Sequence, residues 1–545
     1  MFQLISNLLG GLGMFLLGMT LMSESLKNFA GDSLRTTLLR FTSRPLTAFA
    51  SGMVATALIQ SSSATTLMTI GFVSAGLLPF AQSVGVLMGA ALGTTSTGWM
   101  VSLIGLNVSV SSYALLFVGI GSALRLFLKG KRGSHLGTAI AGFGLIFIGI
   151  GLLQKGMSGV TDAVDFARLP SGSFGAHVLI MLIGIGLTTL VQSCSAVMAA
   201  NLTALAVGAL TFEQSAALAI GAGVGTTVTA GIAAIGASTS AKRSALAQAI
   251  FSVTTGVLAI IFLPLLLQLI FFFQRRFGLE EGPMSLAVFH SLFIAMGVVI
   301  FLPFVRPYSA WIERLLPDRG DAMTRFLDKS TLSLPSVALE AVRRGLLECR
   351  SIMARTAAGR IRKTADAGEA AKAAESVEGA IPSLRRYLSK IEVEPDDSQG
   401  EGRRISDVHI MDHLQSVASL VRSADMHPGT ARLAPWEDRV GRALDGLVTT
   451  AAPETSSSPA GGNIAPLASE LSDWRRAQRK ELLQAAAAGG EGAPELLREL
   501  DTIQWLDQVV YHFGRIAHHL AFPDGMDADP TAGSPSASDE TYLPA

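Results

Sequence analysis

From Pro45 to Leu124 the chain runs for eighty residues without an Asp, Glu, Lys or Arg. A soluble domain carries about one charged residue in four, so a stretch of this length without any belongs inside a membrane. Other apolar runs reach or approach the roughly 20 residues that a helix needs to cross a bilayer. They are Leu4–Met22, Tyr113–Leu128, Leu136–Leu153, Ala176–Val191, Leu246–Phe273 and Leu286–Phe304. No Lys or Arg precedes the first run and no cleavage site follows it before Leu26, so it reads as a span and not a secretory signal. The ten-residue apolar–polar alternation of an outer-membrane barrel is absent from the sequence. The expected fold class is all-α: a polytopic membrane protein.

Charge divides the chain. Residues 1–306 hold 15 Lys+Arg and 7 Asp+Glu, which leaves 27 and 35 for the remainder. Pro307–Gly320 reads as a transition, within a connector of residues 307–333. Beyond it, Val337–Ile361, Val408–Ser423, Trp436–Val448 and Leu467–Gln484 set apolar residues at helical spacing beside charged faces. The expectation is a soluble helical bundle over 334–522, with a flexible linker at 449–463 and a disordered acidic tail from Pro523 to Ala545. Basic clusters at Arg35–Arg44, Arg125–Arg132, Lys242–Arg243 and Arg275–Arg276 mark ends that the positive-inside rule places in the cytoplasm. The only cysteines, Cys194 and Cys349, exclude a disulfide framework and a zinc motif. With no Walker A, no His-Glu-x-x-His and no acid–base pair in the membrane part, neither an enzyme nor a cofactor is expected, and no nucleic-acid partner.

The apolar field contains a repeat. Thr56–Gly98 aligns without a gap to Thr188–Ala230 at an offset of 132, with 17 of 43 positions identical. Shared residues include Gln60/Gln192, Ser61/Ser193, Ser63/Ser195, Gln82/Gln214, Gly93/Gly225, Thr94/Thr226 and Thr95/Thr227. Chance likeness between spans matches Leu, Val and Ala; here polar residues and glycine match. The repeats are expected to occupy roughly residues 1–130 and 136–306.

A Gln-Ser-Ser-Ser run between the short apolar arms Leu46–Leu58 and Leu67–Phe80 suits a broken helix or re-entrant hairpin. Irregular backbone at membrane depth survives only inside protein or beside a watery cavity. A pair of broken segments at matching places is the sequence pointer to a transporter site near the midplane. Since repeat 1 offers no fixed charge, and residues 169–241 offer only Glu213, hydroxyls, amides and helix ends must hold whatever binds. A lone anion there would cost several kcal/mol or more. Bound cations would cancel that charge, which is a physical basis for obligate cation–anion coupling.

"IQSSSATTLM" and "VQSCSAVMAA", with "GAALGTT" and "GAGVGTT" downstream, resemble the type II sodium/phosphate cotransporter family, particularly bacterial members with a domain similar to the phosphate-uptake regulator PhoU. "LGGLGMFLLGMTLMSESLK", Leu9–Lys27, is similar to that family's opening. The resemblance implies two inverted repeats, alternating access, and sodium-coupled symport of inorganic phosphate at an inner (plasma) membrane. It implies phosphate binding by Gln60, Ser61, Ser62, Ser63, Gln192, Ser193 and Ser195, with Thr94 and Thr226. Sodium as co-substrate would take Gln60, Ser63, Thr95, Gln192, Ser195 and Thr227. Ala91 and Gly223 stand where the family has Asn, and Cys194 replaces the middle serine of repeat 2 with a soft sulfur poorly suited to sodium. A cytoplasmic helical domain would regulate, or dock a cytosolic phosphate-signalling protein. The alternatives are an anion sensor without transport and a symporter for another oxyanion.

Three further residues invite a role. His290, in "VFHSLF", is an intramembrane ionisable group, which is functional by default, although a hydrogen-bonded neutral histidine is the commoner case. His177 reads as interfacial and Glu213 as a solvated turn residue. In the C-terminal part His512, His518 and His519 suggest a metal, but His512 and His519 lie about two helical turns apart and complete no ligand set.

Overall fold

The structure is a computed structural model that describes residues 2–40, 44–106, 111–128, 130–161, 172–235, 238–318, 320–393, 397–423, 432–449, 464–487 and 493–522. Its described residues form helices and turns, with no strand among them. The chain divides into two compact units, Met1–Asp318 and Arg319–Ala545.

The first unit begins with α1 (Phe2–Arg40), α2 (Pro45–Ile59), α3 (Ser62–Ser74), α4 (Phe80–Gly93) and α5 (Thr95–Met100), which continues into a π-helical turn at Val101–Leu106. It goes on through α6 (Ser111–Phe127), α7 (Lys131–Thr161), α8 (Phe174–Val191), α9 (Cys194–Ala206) and α10 (Phe212–Ala233). It ends with α11 (Thr239–Ile261), α12 (Leu263–Phe277), α13 (Pro283–Phe301) and α14 (Val305–Leu315). Among the described residues, seven helical stretches are long and apolar enough to cross a membrane. The outer faces of these stretches and of the shorter α6 are apolar: Leu115, Leu116, Leu182, Leu190 and Val299 are all exposed. Among the described residues only Ile405, Leu483, Leu497 and Phe522 are exposed large hydrophobics of the second unit. An apolar exterior of that extent is stable against lipid and not against water.

Lipid is as apolar as leucine, so these helices gain little by hiding side chains from it, and close backbone approach does the packing. The pairing of α1 with α7 shows how. A Cβ on Gly11 would lie 2.9 Å from Gly149 O, and one on Gly18 would lie 2.7 Å from Gly142 O, so the two helices run antiparallel with glycine facing glycine. The duplicated helices use the same device at the repeat offset. A Cβ on Gly89 would stand 2.0 Å from Phe49 O, and one on Gly221 would stand 2.0 Å from Met181 O. Gly52 meets Val86 O as Gly184 meets Leu218 O, at 2.1 and 2.5 Å. Thus α2 is clamped on α4, and α8 on α10, by matched glycines.

Two elements depart from the sequence reading. The run Leu246–Phe273 is not one span: α11 ends at Ile261 and α12 starts at Leu263. Pro264 at the second position of α12 has no N–H to continue the ladder, and Phe262 turns the chain with φ −92° and ψ 13°. Hydropathy alone does not register that break. The connector expected at 307–333 begins as helix, since α14 runs to Leu315 with Val305, Ser309 and Ile312 buried.

The second unit contains α15 (Pro335–Ile361), α16 (Ala367–Leu388), α17 (Ser398–Ser423), α18 (Ala434–Thr449), α19 (Ile464–Ala487) and α20 (Ala493–Ala521). Its core gathers Leu346, Met353, Leu384, Leu414, Val509 and Phe513. Outer faces carry ion pairs such as Arg385–Asp412 and Arg422–Glu378, both at 2.7 Å. The expected tail from Pro523 and, save for Thr449, the expected linker 449–463 lie outside the described residues.

Candidate functional site

Each repeat breaks its helix at the same glutamine with the same backbone. Gln60 ends α2 at φ 60°, ψ 28°, and Gln192 ends α8 at φ 56°, ψ 24°. A left-handed residue other than glycine costs about 1–2 kcal/mol. Each side chain folds back over its own helix end: Gln60 Nε2 donates to Ala57 O at 2.6 Å, and Gln192 Nε2 to Thr189 O at 2.5 Å. Satisfying an orphan C-terminal carbonyl is what a glycine there could not do.

The next residue restarts the helix. Ser61 and Ser193 are extended, with φ −146° and −150°, and their hydroxyls accept from Ala64 N and Ala196 N at 3.2 and 3.3 Å. These are N-caps, so α3 and α9 each open a helix N-terminus inside the apolar unit. Among the described residues the backbone N–H groups of Ser62 and Ser63 have no hydrogen-bond partner, nor do the N–H groups of Cys194 and Ser195. Such a terminus attracts anions through its free N–H groups and its dipole. Ser63 is exposed, and Ser62 adds a half-buried hydroxyl. In repeat 2 the residue matching Ser62 is Cys194, which is buried, and Ser195 is drawn to Ser193 with the oxygens 3.2 Å apart.

The threonines expected downstream have spent their protons. Thr94 donates to Ala90 O at 2.9 Å, Thr95 to Leu92 O at 2.7 Å, and Thr226 to Gly223 O at 2.8 Å. A hydroxyl that donates to its own helix presents only lone pairs to its surroundings. Thr94, Thr95 and Thr226 therefore suit a cation, while the termini at Ser62–Ser63 and Cys194–Ser195 suit an anion. The side chain of Thr227 forms no hydrogen bond among the described residues.

The repeats differ in how tightly the break is held. Gln60 Nε2 also donates to Ser96 Oγ at 2.9 Å, and Thr97 Oγ1 donates to Gln60 Oε1 at 2.9 Å, which ties the break to α5. Thr56 Oγ1 donates to Thr65 Oγ1 at 2.9 Å across the break. In repeat 2 Val228 replaces Ser96 and Val197 replaces Thr65. Consequently Gln192 is exposed, and the buried Thr188 Oγ1 is left without a partner among the described residues. Repeat 1 is a completed network and repeat 2 an open one. Among the described residues no hydrogen bond joins the two breaks to each other.

Helix α13 adds residues that the repeat alignment does not reach. Ser291 Oγ donates to Thr95 Oγ1 at 3.0 Å and accepts from Trp99 Nε1 at 2.8 Å. His290, 3% exposed, keeps Nδ1 unpartnered and faces α5, where a Cβ on Gly98 would lie 4.0 Å away. Phe293 of the same helix stands 3.4 Å from where a Cβ on Gly223 would be. So α13 contacts both repeats. Ser96 and Thr97 were legible as the polar continuation of "GTT"; nothing in the sequence around Ser291 announces its partner.

One expectation is corrected. Glu213 does not stand free at a turn: in the first turn of α10, its Oε1 lies 2.6 Å from His177 Nε2, pinning the start of α10 to that of α8. His177 is buried in that contact. In the second unit His512 and His519 meet α17. His413 and His512 share a hydrogen bond between their Nδ1 atoms at 3.0 Å, and His409 stacks on His519 at 4.9 Å. Among the described residues no three His, Cys, Asp or Glu side chains converge to hold a metal.

The Na+/Pi-cotransporter family model matches residues 14–155 and 166–300. A relative from Escherichia coli (strain K12), named "Putative inorganic phosphate export protein YjbB", is 25% identical over 450 residues, 81% of this chain and 80% of its own. The protein of the same name from Salmonella typhimurium is 26% identical over 351 residues, 64% of this chain and 63% of its own. The uncharacterized protein YqeW of Bacillus subtilis is 30% identical over 305 residues, 56% of this chain and 95% of its own. No solved structure matches the chain at a significant level.

Proposed function

We propose that this chain, which belongs to the Na+/Pi-cotransporter family, carries inorganic phosphate across a membrane together with sodium. The observation that carries the reading is the pair of helix breaks at one offset, each a left-handed glutamine followed by a serine-capped helix. Phosphate would sit against the open N–H groups of Ser62, Ser63, Cys194 and Ser195 and the hydroxyls of Ser62, Ser63 and Ser195. Sodium would take the lone pairs of Thr94, Thr95, Thr226 and Thr227. With no fixed charge at the breaks, each ion lowers the cost of burying the other.

Gln60 enters this scheme chiefly as a brace, since both its amide protons are already used. Gln192 keeps one amide proton for a ligand, and so repeat 2 is the side expected to tighten on binding. Alternating access of two inverted repeats would expose the breaks to each side in turn. The membrane potential, worth about 2.3 kcal/mol per charge per 100 mV, would add to the sodium gradient wherever net charge moves. An inner (plasma) membrane location with a soluble, cytoplasmic second unit follows from the same scheme; that unit would regulate transport or dock a phosphate-signalling protein.

Direction is the point on which a second reading has a specific basis. Symport down an inward sodium gradient would bring phosphate in, whereas two of the relatives carry names that say export. A symporter runs either way according to its gradients, and both are accommodated by one site. The experiment is flux of radiolabelled phosphate in proteoliposomes with sodium gradients imposed inward and outward. Flux that follows the sodium gradient in both senses supports coupling, equal flux in potassium removes it, and no flux of phosphate removes the function.

A further inference from the structure

Helix α11 buries a line of polar atoms that no described residue satisfies. Ser244 Oγ, Gln248 Oε1 and Thr255 Oγ1 are shielded from solvent and have no hydrogen-bond partner among the described residues. Ser244 and Thr255 are 0% and 1% exposed. At i, i+4 and i+11 they share one face of the helix. Leaving a buried polar atom unpaired forfeits its hydration with nothing in return, and the interior of a membrane protein has no bulk water to relieve it. Three such atoms in one stripe point to a surface that is wet in another conformation.

The neighbours of the stripe say where it leads. Thr255 packs on Gly297 of α13, whose Cβ would lie 2.2 Å from Thr255 Oγ1, and Phe251 packs edge-on against Phe301 with ring centres 5.5 Å apart. Tyr308 OH donates to Ala247 O at 2.7 Å. Helices α11 and α13 are therefore antiparallel. The stripe begins near the basic start of α11 at Lys242 and Arg243, and it ends toward the half of α13 that carries the unpartnered His290, beside Thr95 and Ser291. On its other side lies α4 of the first repeat. The gap between them, lined by Val84, Leu87, Met88, Ala247, Gln248 and Phe251, is too narrow to admit a water molecule.

We propose that the seam α11 forms with α4 and α13 is a gated half of the permeation path: dry and closed here, and opening to hydrate Gln248, Ser244 and Thr255 when the site turns to the basic end of the unit. This inference rests on the transport reading; fast labelling tests the seam, and the response to sodium and phosphate tests the cargo separately. Gln248→Cys, Ser244→Cys and Thr255→Cys are made singly in the full chain, with Val253→Cys on the exposed face of α11 as the lipid-facing control. Labelling by a charged, membrane-impermeant thiol reagent is timed in proteoliposomes, with and without sodium plus inorganic phosphate. Unmutated protein gives the background from Cys194 and Cys349. The expected result is labelling of Gln248→Cys and at least one of the other two more than tenfold faster than Val253→Cys, with a rate that sodium and phosphate change together. Labelling no faster than Val253→Cys in every condition, in variants that elute as folded protein, overturns the proposal. Labelling that responds to a different anion and not to phosphate leaves the seam standing and removes the phosphate reading.

Discussion

Thr97 Oγ1 donates to Gln60 Oε1 at 2.9 Å, whereas its repeat mate Thr229 turns away and donates to Thr226 O at 2.7 Å. One sequence device thus yields a braced break and an unbraced one, and the difference is testable.

Replacing Gln60 or Gln192 by glycine keeps the left-handed backbone free of strain and removes only the amide. Both variants are expected to fold. Gln192→Gly should raise the phosphate concentration needed for half-maximal flux about tenfold, the worth of one hydrogen bond to a charged group. Gln60→Gly should mainly lower the maximal rate. Concentration dependence of flux in proteoliposomes separates them; identical effects from the two variants would contradict the assignment of brace and ligand.

Restoring the missing serine with Cys194→Ser should strengthen binding, because a hydroxyl is a better donor to phosphate and a harder ligand to sodium than a thiol. The sodium concentration for half-maximal flux should fall severalfold. An unchanged sodium dependence would show that the side chain at position 194 does not touch sodium.

The glycine clamps predict a sharp contrast in stability. Gly89→Ala and Gly221→Ala each drive a Cβ to 2.0 Å from a backbone carbonyl, while at Gly98 the nearest atoms are 3.9 Å away. Overpacking of this kind costs about 1–3 kcal/mol or more. The first two variants should lower the melting temperature in detergent by several degrees, and Gly98→Ala should leave it within about a degree.

In the second unit, burial and neighbouring cations hold His413 down at about 3, and burial holds His512 at about 4, against an ordinary value of 6.5. The unfolded chain then binds more protons than the folded one below pH 6.5, so stability falls as pH drops from there toward 4 and 3. Asp407 works in the opposite sense. Burial pushes its carboxyl up to about 7 despite Arg343, and its contribution is lost as pH rises toward that value. Protection of α17 and α20 against hydrogen exchange in the full chain, corrected for the intrinsic exchange rate at each pH, should fall between pH 6.5 and 4.5, and His413→Asn with His512→Gln should abolish that fall.

The charge-free stretch from Pro45 and the offset of 132 determined, by themselves, a membrane protein with duplicated helix breaks. The reason is local: charge is costly in lipid, and a Gln-Ser-x-Ser run between short apolar arms, found twice in one register, suits a helix that ends at the glutamine and restarts at a serine cap. What the residues at the breaks are bonded to was decided only by tertiary structure. Ser96 and Thr97 reach Gln60 because matched glycines let α2 and α4 touch backbone to backbone, and Ser291 reaches Thr95 across nearly two hundred residues of chain. Glu213 read as a surface turn because its partner, His177, lies 36 residues earlier on another helix. Hydropathy joined α11 to α12 across Pro264 because it sums apolarity and ignores which residues can donate a hydrogen bond. Periodicity and charge are written along the chain; the pairing of hydroxyls and amides is written in the contacts that close packing makes.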